Sequence, residues 1–231
     1  MTQLRTRIKI CGLSNVDDAL FAADAGADAI GLNFHRPSPR FVGLDVAAAI
    51  ARALPPFVTV VGVFVDATAD DVRRALEAVP IAMLQFHGDE PPEFCGQFRI
   101  PYLKTLRVTP EVDLLQFSIR YAHAAAILVD AFRPGVPGGT GETFDWGLIP
   151  SQRPRQLVLS GGLTSANVGA GIERVRPWAV DVASGVESKP GVKDRTRIGR
   201  FIEAVQRADQ RFIEAVQRAD RRLQGDQAGE Q

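Results

Sequence analysis

This 231-residue chain has few cysteines, no surplus of charge of either sign and no long apolar run. Its two cysteines, Cys11 and Cys95, are too few for a disulfide framework, so a reducing compartment, the cytoplasm, is expected. No apolar run approaches the ~18 residues of a membrane span, and the N-terminal residues have no signal-peptide core, so no membrane partner is expected. The 27 basic and 27 acidic residues cancel, which argues against nucleic acid as a partner.

What the chain does contain is a regular alternation of short β-branched runs with helical patterns. Eight runs predict strands, at residues 8–11, 29–34, 58–65, 82–87, 102–106, 125–130, 157–160 and 179–184. Helical patterns lie between them, at residues 16–25, 45–54, 70–79, 92–98, 112–121 and 165–175, with a short helical turn near Trp146. This alternation indicates a parallel sheet. The count of eight indicates a single (β/α)8 TIM barrel of the α/β class rather than an open doubly wound sheet.

The C-terminal segment contains a tandem copy, in which RFIEAVQRAD at residues 200–209 recurs at 211–220 with a period of eleven. One helix over about residues 195–223 is predicted, with the first copy packed on the barrel as its eighth helix. Because eleven residues make about three helical turns, the apolar stripe continues from the first copy into the second. The stripe consists of Phe201, Ile202 and Val205, then Phe212, Ile213 and Val216.

The same pattern sets the expected domain boundaries, a barrel at 1–208 and a duplicated helix extension with a polar tail at 209–231. The second copy has no obvious barrel surface left to cover. Residues 211–231 are therefore expected to be poorly ordered or to lie against a neighbouring molecule, and to be dispensable for catalysis.

Polar residues stand where several predicted strands end. Cys11 ends the first strand, His87 the fourth and Asp130 the sixth. In a barrel of this kind the carboxyl ends of the strands form one rim, which holds the active site. These three side chains are therefore expected to converge. Taken singly, a buried cysteine such as Cys11 is usually a small apolar residue of the core, and Asp130 is equally consistent with a cap for the loop that follows.

Glycine turns follow the seventh and eighth strands, Gly161 and Gly162 after one, Ser184 and Gly185 after the other. Glycine lets backbone N–H groups approach an anion closely, and barrels of this kind often bind phosphate at these two strands. A phosphate site is therefore predicted here, although tight turns alone also favour glycine.

Strand periodicity predicts one buried ion pair. Lys9 lies two residues before Cys11, so both side chains point to the same face of the first strand. The eighth strand neighbours the first in a closed barrel, and Asp181 lies about one layer below its end. Because a buried lysine needs a counter-charge, a Lys9–Asp181 ion pair is expected inside the barrel.

Taken together, these segments resemble phosphoribosylanthranilate isomerase over residues 7 to about 205. The motifs that carry the resemblance are KICG at 9–12, SPR at 38–40, VGVFV at 61–65, LQFHG at 84–88, LVD at 128–130, GGTG at 138–141 with FDW at 144–146, LSGGL at 159–163 and VDVASGVE at 180–187. Asn33, in a strand position where an apolar residue is expected, and the tandem copy depart from the family pattern.

The resemblance implies an Amadori rearrangement of N-(5-phosphoribosyl)anthranilate in tryptophan biosynthesis, without a cofactor or metal. It implies that Asp130 is the general acid on the furanose ring oxygen and Cys11 the general base on the C2 proton. It further implies that Arg40 faces the anthranilate carboxylate and that His87 lines the site. The resemblance also implies that Gly139, Thr140 and Gly141, in the loop after the sixth strand, bind the substrate.

The expected partner is therefore a small phosphosugar, and the protein is expected to be a monomer or homodimer. Two alternatives share the phosphate turns. Another phosphosugar barrel enzyme would not need a cysteine at the end of the first strand. A non-catalytic phosphosugar-binding barrel would tolerate loss of Cys11 or Asp130.

Overall fold

Eight parallel strands pair in chain order and close into a barrel, because β1 pairs with both β2 and β8. The strands are β1 (Arg7–Cys11), β2 (Ala29–Asn33), β3 (Thr59–Phe64), β4 (Met83–Phe86), β5 (Tyr102–Val108), β6 (Ala126–Ala131), β7 (Leu157–Leu159) and β8 (Ala179–Val182). The computed structural model describes residues 5–109, 111–131, 145–150 and 156–228, with side chains up to 218. Gly139, Thr140 and Gly141 lie outside these ranges.

The predicted (β/α)8 barrel is confirmed, and the strand bounds shift by only one or two residues. The strands are buried along most of their length because one face fills the barrel interior and the other packs under helices. In β3, for example, only Thr59 is not buried. The helices are α1 (Val16–Ala25), α2 (Leu44–Ala53), α3 (Ala69–Ala78), α4 (Pro92–Gly96), α5 (Leu114–Arg120), α6 (Val168–Val175) and α7 (Arg195–Ala228), with a 3-10 turn at Trp146–Leu148. None of the described helices is long and apolar enough to cross a membrane.

Helix α6 begins at Val168, three residues later than predicted. Asn167 explains the delay, because its side chain bonds the chain that precedes the helix. Its Oδ1 accepts from the Thr164 N–H at 2.8 Å, and its Nδ2 donates to the Gly162 carbonyl at 2.9 Å. These bonds hold the turn after β7 in place instead of extending the helix.

A short hairpin between β8 and α7 was not predicted. After β8 a 3-10 turn, Ser184–Val186, leads into β9 (Glu187–Lys189) and β10 (Val192–Lys193), which pair antiparallel. Gly191 has φ +81°, and an ideal Cβ there would lie 2.2 Å from the Pro39 carbonyl oxygen. Only glycine therefore allows the hairpin to press against the loop that follows β2.

Helix α7 carries the apolar stripe through both copies of the repeat. In the first copy Phe201, Ile202 and Val205 are buried against the barrel, which confirms its place as the eighth helix. The equivalent residues of the second copy, Phe212, Ile213 and Val216, are only half-buried.

The second copy nevertheless contacts α6, so the expectation that it finds no barrel surface is wrong for its first turn. Arg211 pairs with Glu173 at 3.0 Å, and the Arg176 guanidinium lies 3.8 Å from the centroid of the Phe212 ring. These contacts lie on the helical layer, on the outside of the barrel.

We propose that residues 211–231 are dispensable for the catalytic activity that the resemblance implies. Truncation after Gln210 should leave kcat within about twofold of the full chain and lower the melting temperature by a few degrees, because surface ion pairs and cation–π contacts each contribute about 1 kcal/mol or less. Truncation after Val216, which keeps the α6 contacts, should lower it less. A large loss of activity in a still-folded truncated protein would show that the second copy is needed.

Candidate active site

A cavity of about 300 Å³ opens at the carboxyl ends of the barrel strands. Its wall brings together most of the residues that the sequence marked, namely Cys11, Arg40, His87, Asp130, Gly161, Gly162 and Ser184. In the described part of the chain the wall does not include Gly185. The convergence expected of separate strand ends is therefore present in the structure.

Cys11 ends β1 with its side chain buried at the cavity wall. Its register partner on β2 is Gly31, where an ideal Cβ would lie 2.7 Å from the Cys11 Sγ and 3.1 Å from the Lys9 Nζ. Glycine at this position therefore leaves the space that the thiol and the ammonium occupy. Burial raises the pKa of the Cys11 thiol, and the positive charge of Lys9 only partly offsets that rise.

The predicted Lys9–Asp181 ion pair is confirmed. The Lys9 Nζ donates to the Asp181 Oδ1 at 2.8 Å, and their side chains are 5% and 6% exposed. Burial lowers the pKa of Lys9, but the negative charge of Asp181 and the neighbouring Cys11 thiol outweigh this effect and raise it. Lys9 is therefore a fixed positive charge directly beside the thiol.

Asp130, near the end of β6, is held by hydrogen bonds on both carboxyl oxygens. Its Oδ1 accepts from the Ala131 N–H at 2.8 Å, so part of its role is to cap the chain, as the sequence allowed. Its Oδ2 lies 3.1 Å from the His87 Nε2. The His87 Nδ1 lies 3.1 Å from the Gln85 Nε2, so the imidazole ring is held between Gln85 and Asp130. His87 thus fixes the orientation of the carboxyl group.

Gln85 was missed in the sequence analysis, although its spacing could have revealed it. It precedes His87 by two residues, and side chains two apart on a strand share a face. The same reasoning at the end of β2 would have found Asn33 and His35, both on the cavity wall.

Asn33, noted as a departure from the family pattern, braces the loop after β2. Its Oδ1 accepts from the His35 N–H at 2.8 Å, and its Nδ2 donates to the Ser38 Oγ at 3.3 Å. A polar side chain here is satisfied by the loop rather than by the barrel core. The loop that it braces leads directly to Arg40.

Arg40 forms a two-bond ion pair with Glu187 at the start of β9. The Arg40 Nε donates to the Glu187 Oε1 at 2.7 Å, and Nη2 donates to Oε2 at 2.8 Å. Lys193 adds a second cation, 2.9 Å from the Glu187 Oε1. Burial raises the pKa of Glu187, but the hydrogen bonds from Arg40 and the charge of Lys193 outweigh it and lower the pKa. No role was predicted for Glu187 or Lys193.

The two glycine turns differ in detail. Gly161 and Gly162 both have positive φ, +82° and +62°, which favours glycine on backbone grounds. An ideal Cβ at Gly161 would also lie 2.9 Å from the Asp130 Oδ1. At Gly185 it would lie 1.9 Å from the Leu163 carbonyl oxygen, so this glycine lets the loops after β7 and β8 touch. Among the described residues, no three His, Cys, Asp or Glu side chains converge as a metal site.

Comparison with known proteins gives one family. A family model described as N-(5'phosphoribosyl)anthranilate (PRA) isomerase matches residues 8–204. A relative from Leptothrix cholodnii, named N-(5'-phosphoribosyl)anthranilate isomerase, is 56% identical over 211 residues, which is 91% of this chain and 96% of the relative.

Solved structures agree with the sequence comparisons. The crystal structure of phosphoribosyl anthranilate isomerase from Thermotoga maritima is 42% identical, with a TM-score of 0.80, and the match covers 87% of this chain and 98% of that one. A phosphoribosyl anthranilate isomerase solved in complex with reduced 1-(o-carboxyphenylamino)-1-deoxyribulose 5-phosphate is 40% identical, with a TM-score of 0.77 and the same coverage.

Proposed function

The chain belongs to the N-(5'-phosphoribosyl)anthranilate isomerase family, and we propose that Cys11 is the general base and Asp130 the general acid of its reaction. The activity is the Amadori rearrangement of N-(5-phosphoribosyl)anthranilate to the corresponding 1-deoxyribulose phosphate, in tryptophan biosynthesis. The observation that carries the proposal is that Cys11 and Asp130, on β1 and β6, line one cavity. We propose that the protein works in the cytoplasm.

Asp130 opens the sugar ring in this mechanism. Its protonated carboxyl group gives a proton to the ring oxygen as the C1–O bond breaks, and the lone pair of the anthranilate nitrogen forms a C1=N bond. The contacts of Asp130 support this role, because His87 and the Ala131 N–H hold the carboxyl group in one orientation at the cavity wall. An acid must be within hydrogen-bond reach of the atom that it protonates, so orientation matters as much as identity.

Cys11 then removes the C2 proton. The electrons of the C2–H bond form a C1=C2 bond, and the C1=N electron pair returns to nitrogen, which neutralises the iminium. The enol then gives the ketone as C1 gains a proton and the C2 hydroxyl loses one. The thiolate is the active form of the base. Lys9 supports this role, because its positive charge favours the thiolate against the burial that disfavours it.

Arg40 is proposed to bind the anthranilate carboxylate. A guanidinium pairs with a carboxylate through two parallel N–H bonds, and Arg40 lies on the wall of the same cavity. The loop residues Gly139, Thr140 and Gly141 are proposed to contact the substrate from the loop after β6.

The phosphate group is proposed to bind at the turns after β7 and β8. A phosphate or sulfate ion soaked into crystals of the protein should lie against N–H groups near Gly162 and Gly185. Glycine turns let backbone N–H groups approach an anion closely, and Gly162 and Ser184, one from each turn, line the same cavity. Electron density for the ion is the measurement. An ion held instead by arginine or lysine side chains elsewhere, with these turns empty, would contradict the proposal.

The loss of substrate fluorescence as N-(5-phosphoribosyl)anthranilate is consumed is the assay that tests the function. The purified protein should consume this substrate in single-exponential fashion at low concentration. A protein that binds phosphosugars without turning over this substrate would instead be a binding barrel. Turnover of another aminoaldose phosphate alone would identify a different isomerase.

A further inference from the structure

We propose that Glu187 is a positioning residue, which orients Arg40 and thereby makes the cavity select substrates with a carboxylate on the aromatic ring. The inference rests on the proposed role of Arg40. Glu187 is itself buried, with 4% of its surface exposed, and lies in the hairpin rather than on a barrel strand. Its contact is therefore with the arginine, and its effect on the substrate is indirect.

Glu187 binds one edge of the Arg40 guanidinium and leaves a second edge available to the substrate. An arginine has five N–H donors, and Glu187 takes the Nε–H and one N–H of Nη2. Among the described residues, no acceptor bonds the Arg40 Nη1. The Nη1–Nη2 edge therefore keeps the two parallel donors that a second carboxylate needs. Glu187 on one edge and the substrate on the other give the arginine a single orientation.

Two close backbone approaches limit the movement of Arg40 further. Gly12 has φ +77°, and an ideal Cβ there would lie 2.6 Å from the Arg40 Cδ, so the arginine stem crosses the rim directly over this glycine. Gly191, in the hairpin, presses against the carbonyl of Pro39, the residue that precedes Arg40. The hairpin thus supplies both the carboxylate that pairs with Arg40 and the contact that holds its loop.

The charges of the cluster support selection for an anion. Arg40 and Lys193 carry two positive charges against the single negative charge of Glu187, so the cluster has a net charge of about +1. The Lys193 Nζ is already satisfied by the Ala183 carbonyl and by Glu187, both at 2.9 Å. Arg40 is therefore the cation that is left to meet the substrate carboxylate, and binding that carboxylate neutralises the cluster.

The test compares two stable ligands by calorimetry. One is reduced 1-(o-carboxyphenylamino)-1-deoxyribulose 5-phosphate, and the other is the same compound without the carboxyl group. In Glu187→Gln, the amide accepts one bond from Arg40 at most and turns a donor towards it. The Kd for the carboxylate ligand should rise at least about tenfold, while the Kd for the ligand without it changes by about twofold or less.

A double-mutant cycle with Arg40→Gln identifies the route of the effect. Because Glu187 acts through Arg40, adding Glu187→Gln to Arg40→Gln should weaken binding of the carboxylate ligand no further. The matched control is Glu203→Gln, the same change at an exposed helix position, which should leave both Kd values unchanged. If Glu187→Gln does not fold, Glu187→Asp is the second variant, which keeps the charge but has a shorter side chain. It should also weaken binding of the carboxylate ligand more than binding of the ligand without the carboxyl group.

Equal weakening of both ligands, or no weakening of either, would overturn the proposal. Additive effects in the Arg40→Gln background would overturn it as well. Binding of these ligands does not need turnover, so the outcome is separate from that of the acid–base mechanism. A wild-type protein that does not discriminate between the two ligands would instead contradict the proposed role of Arg40.

Discussion

Replacement of Cys11 by serine should lower kcat by at least about 100-fold, the usual scale of general base catalysis, with little change in the melting temperature. A serine hydroxyl is a far weaker acid than a thiol, so almost no anion forms to take the C2 proton. The side chain is small and lies at the cavity wall, so the exchange disturbs little packing. Steady-state kinetics by the fluorescence assay and thermal unfolding are the measurements.

The chain offers a matched control in its other cysteine. Cys95 is fully buried in the apolar core, and burial raises its pKa to about 12. Cys95→Ser should therefore leave kcat within about twofold but cost about 1–3 kcal/mol of stability. The Cys95 Sγ lies 3.7 Å from the Glu90 carbonyl, and the shorter serine side chain places a buried hydroxyl too far from this acceptor for a good hydrogen bond. The two serine variants are expected to give opposite results. Near-normal turnover by Cys11→Ser would remove Cys11 from the role of base.

Asp130→Asn should lower kcat by a similar factor, at least about 100-fold, because an amide cannot give up a proton at neutral pH. His87→Asn tests how much the orientation of the Asp130 carboxyl group contributes, apart from the proton transfer itself. His87 holds the Asp130 carboxyl group at 3.1 Å, so its loss should cost less, about tenfold. A larger loss from His87→Asn than from Asp130→Asn would assign the acid role to His87.

The barrel was predictable because each strand is a separate run of mostly β-branched and apolar residues. Five of the eight predicted strands also end in a polar residue or a glycine turn. The Lys9–Asp181 pair followed from strand periodicity and barrel closure alone, since both residues lie in register on neighbouring strands. Regular structure turns local spacing into spatial position, and this is why these features can be derived from sequence.

The hairpin and Glu187 could not be derived in this way. The strands of the hairpin are three and two residues long, and tertiary contacts with the loop at Pro39 and Arg40 hold it in place. Glu187 is 147 residues from Arg40, and neither lies on a barrel strand, so no periodic pattern relates them. Asn33 shows a milder form of the same problem, because its partners lie in an irregular loop.

For the Lys9–Asp181 pair, we expect one set of substitutions to change stability and activity independently. Lys9→Met leaves Asp181 buried without its counter-charge, and breaking a buried ion pair in this way costs about 3–5 kcal/mol. The variant should therefore unfold at a much lower urea concentration. Adding Asp181→Leu to this variant removes the unpaired carboxylate. The double variant should recover most of the lost stability, because well-packed apolar residues can replace a buried ion pair at little cost in free energy.

Activity should not recover with stability in that double variant. The Lys9 charge lowers the pKa of the Cys11 thiol and Asp181 raises it, with the larger effect from Lys9. Removal of both therefore leaves the pKa higher than in the wild type, so less thiolate forms at neutral pH, and kcat should remain at least about tenfold below wild type. The pH dependence of alkylation by iodoacetamide measures this pKa directly. Cys95 is fully buried and serves as the internal negative control, because it should not react. The alkylation curve of Cys11 should move to higher pH in both variants. A double variant that regained full kcat with its stability would show that the ammonium group serves the fold and not the base.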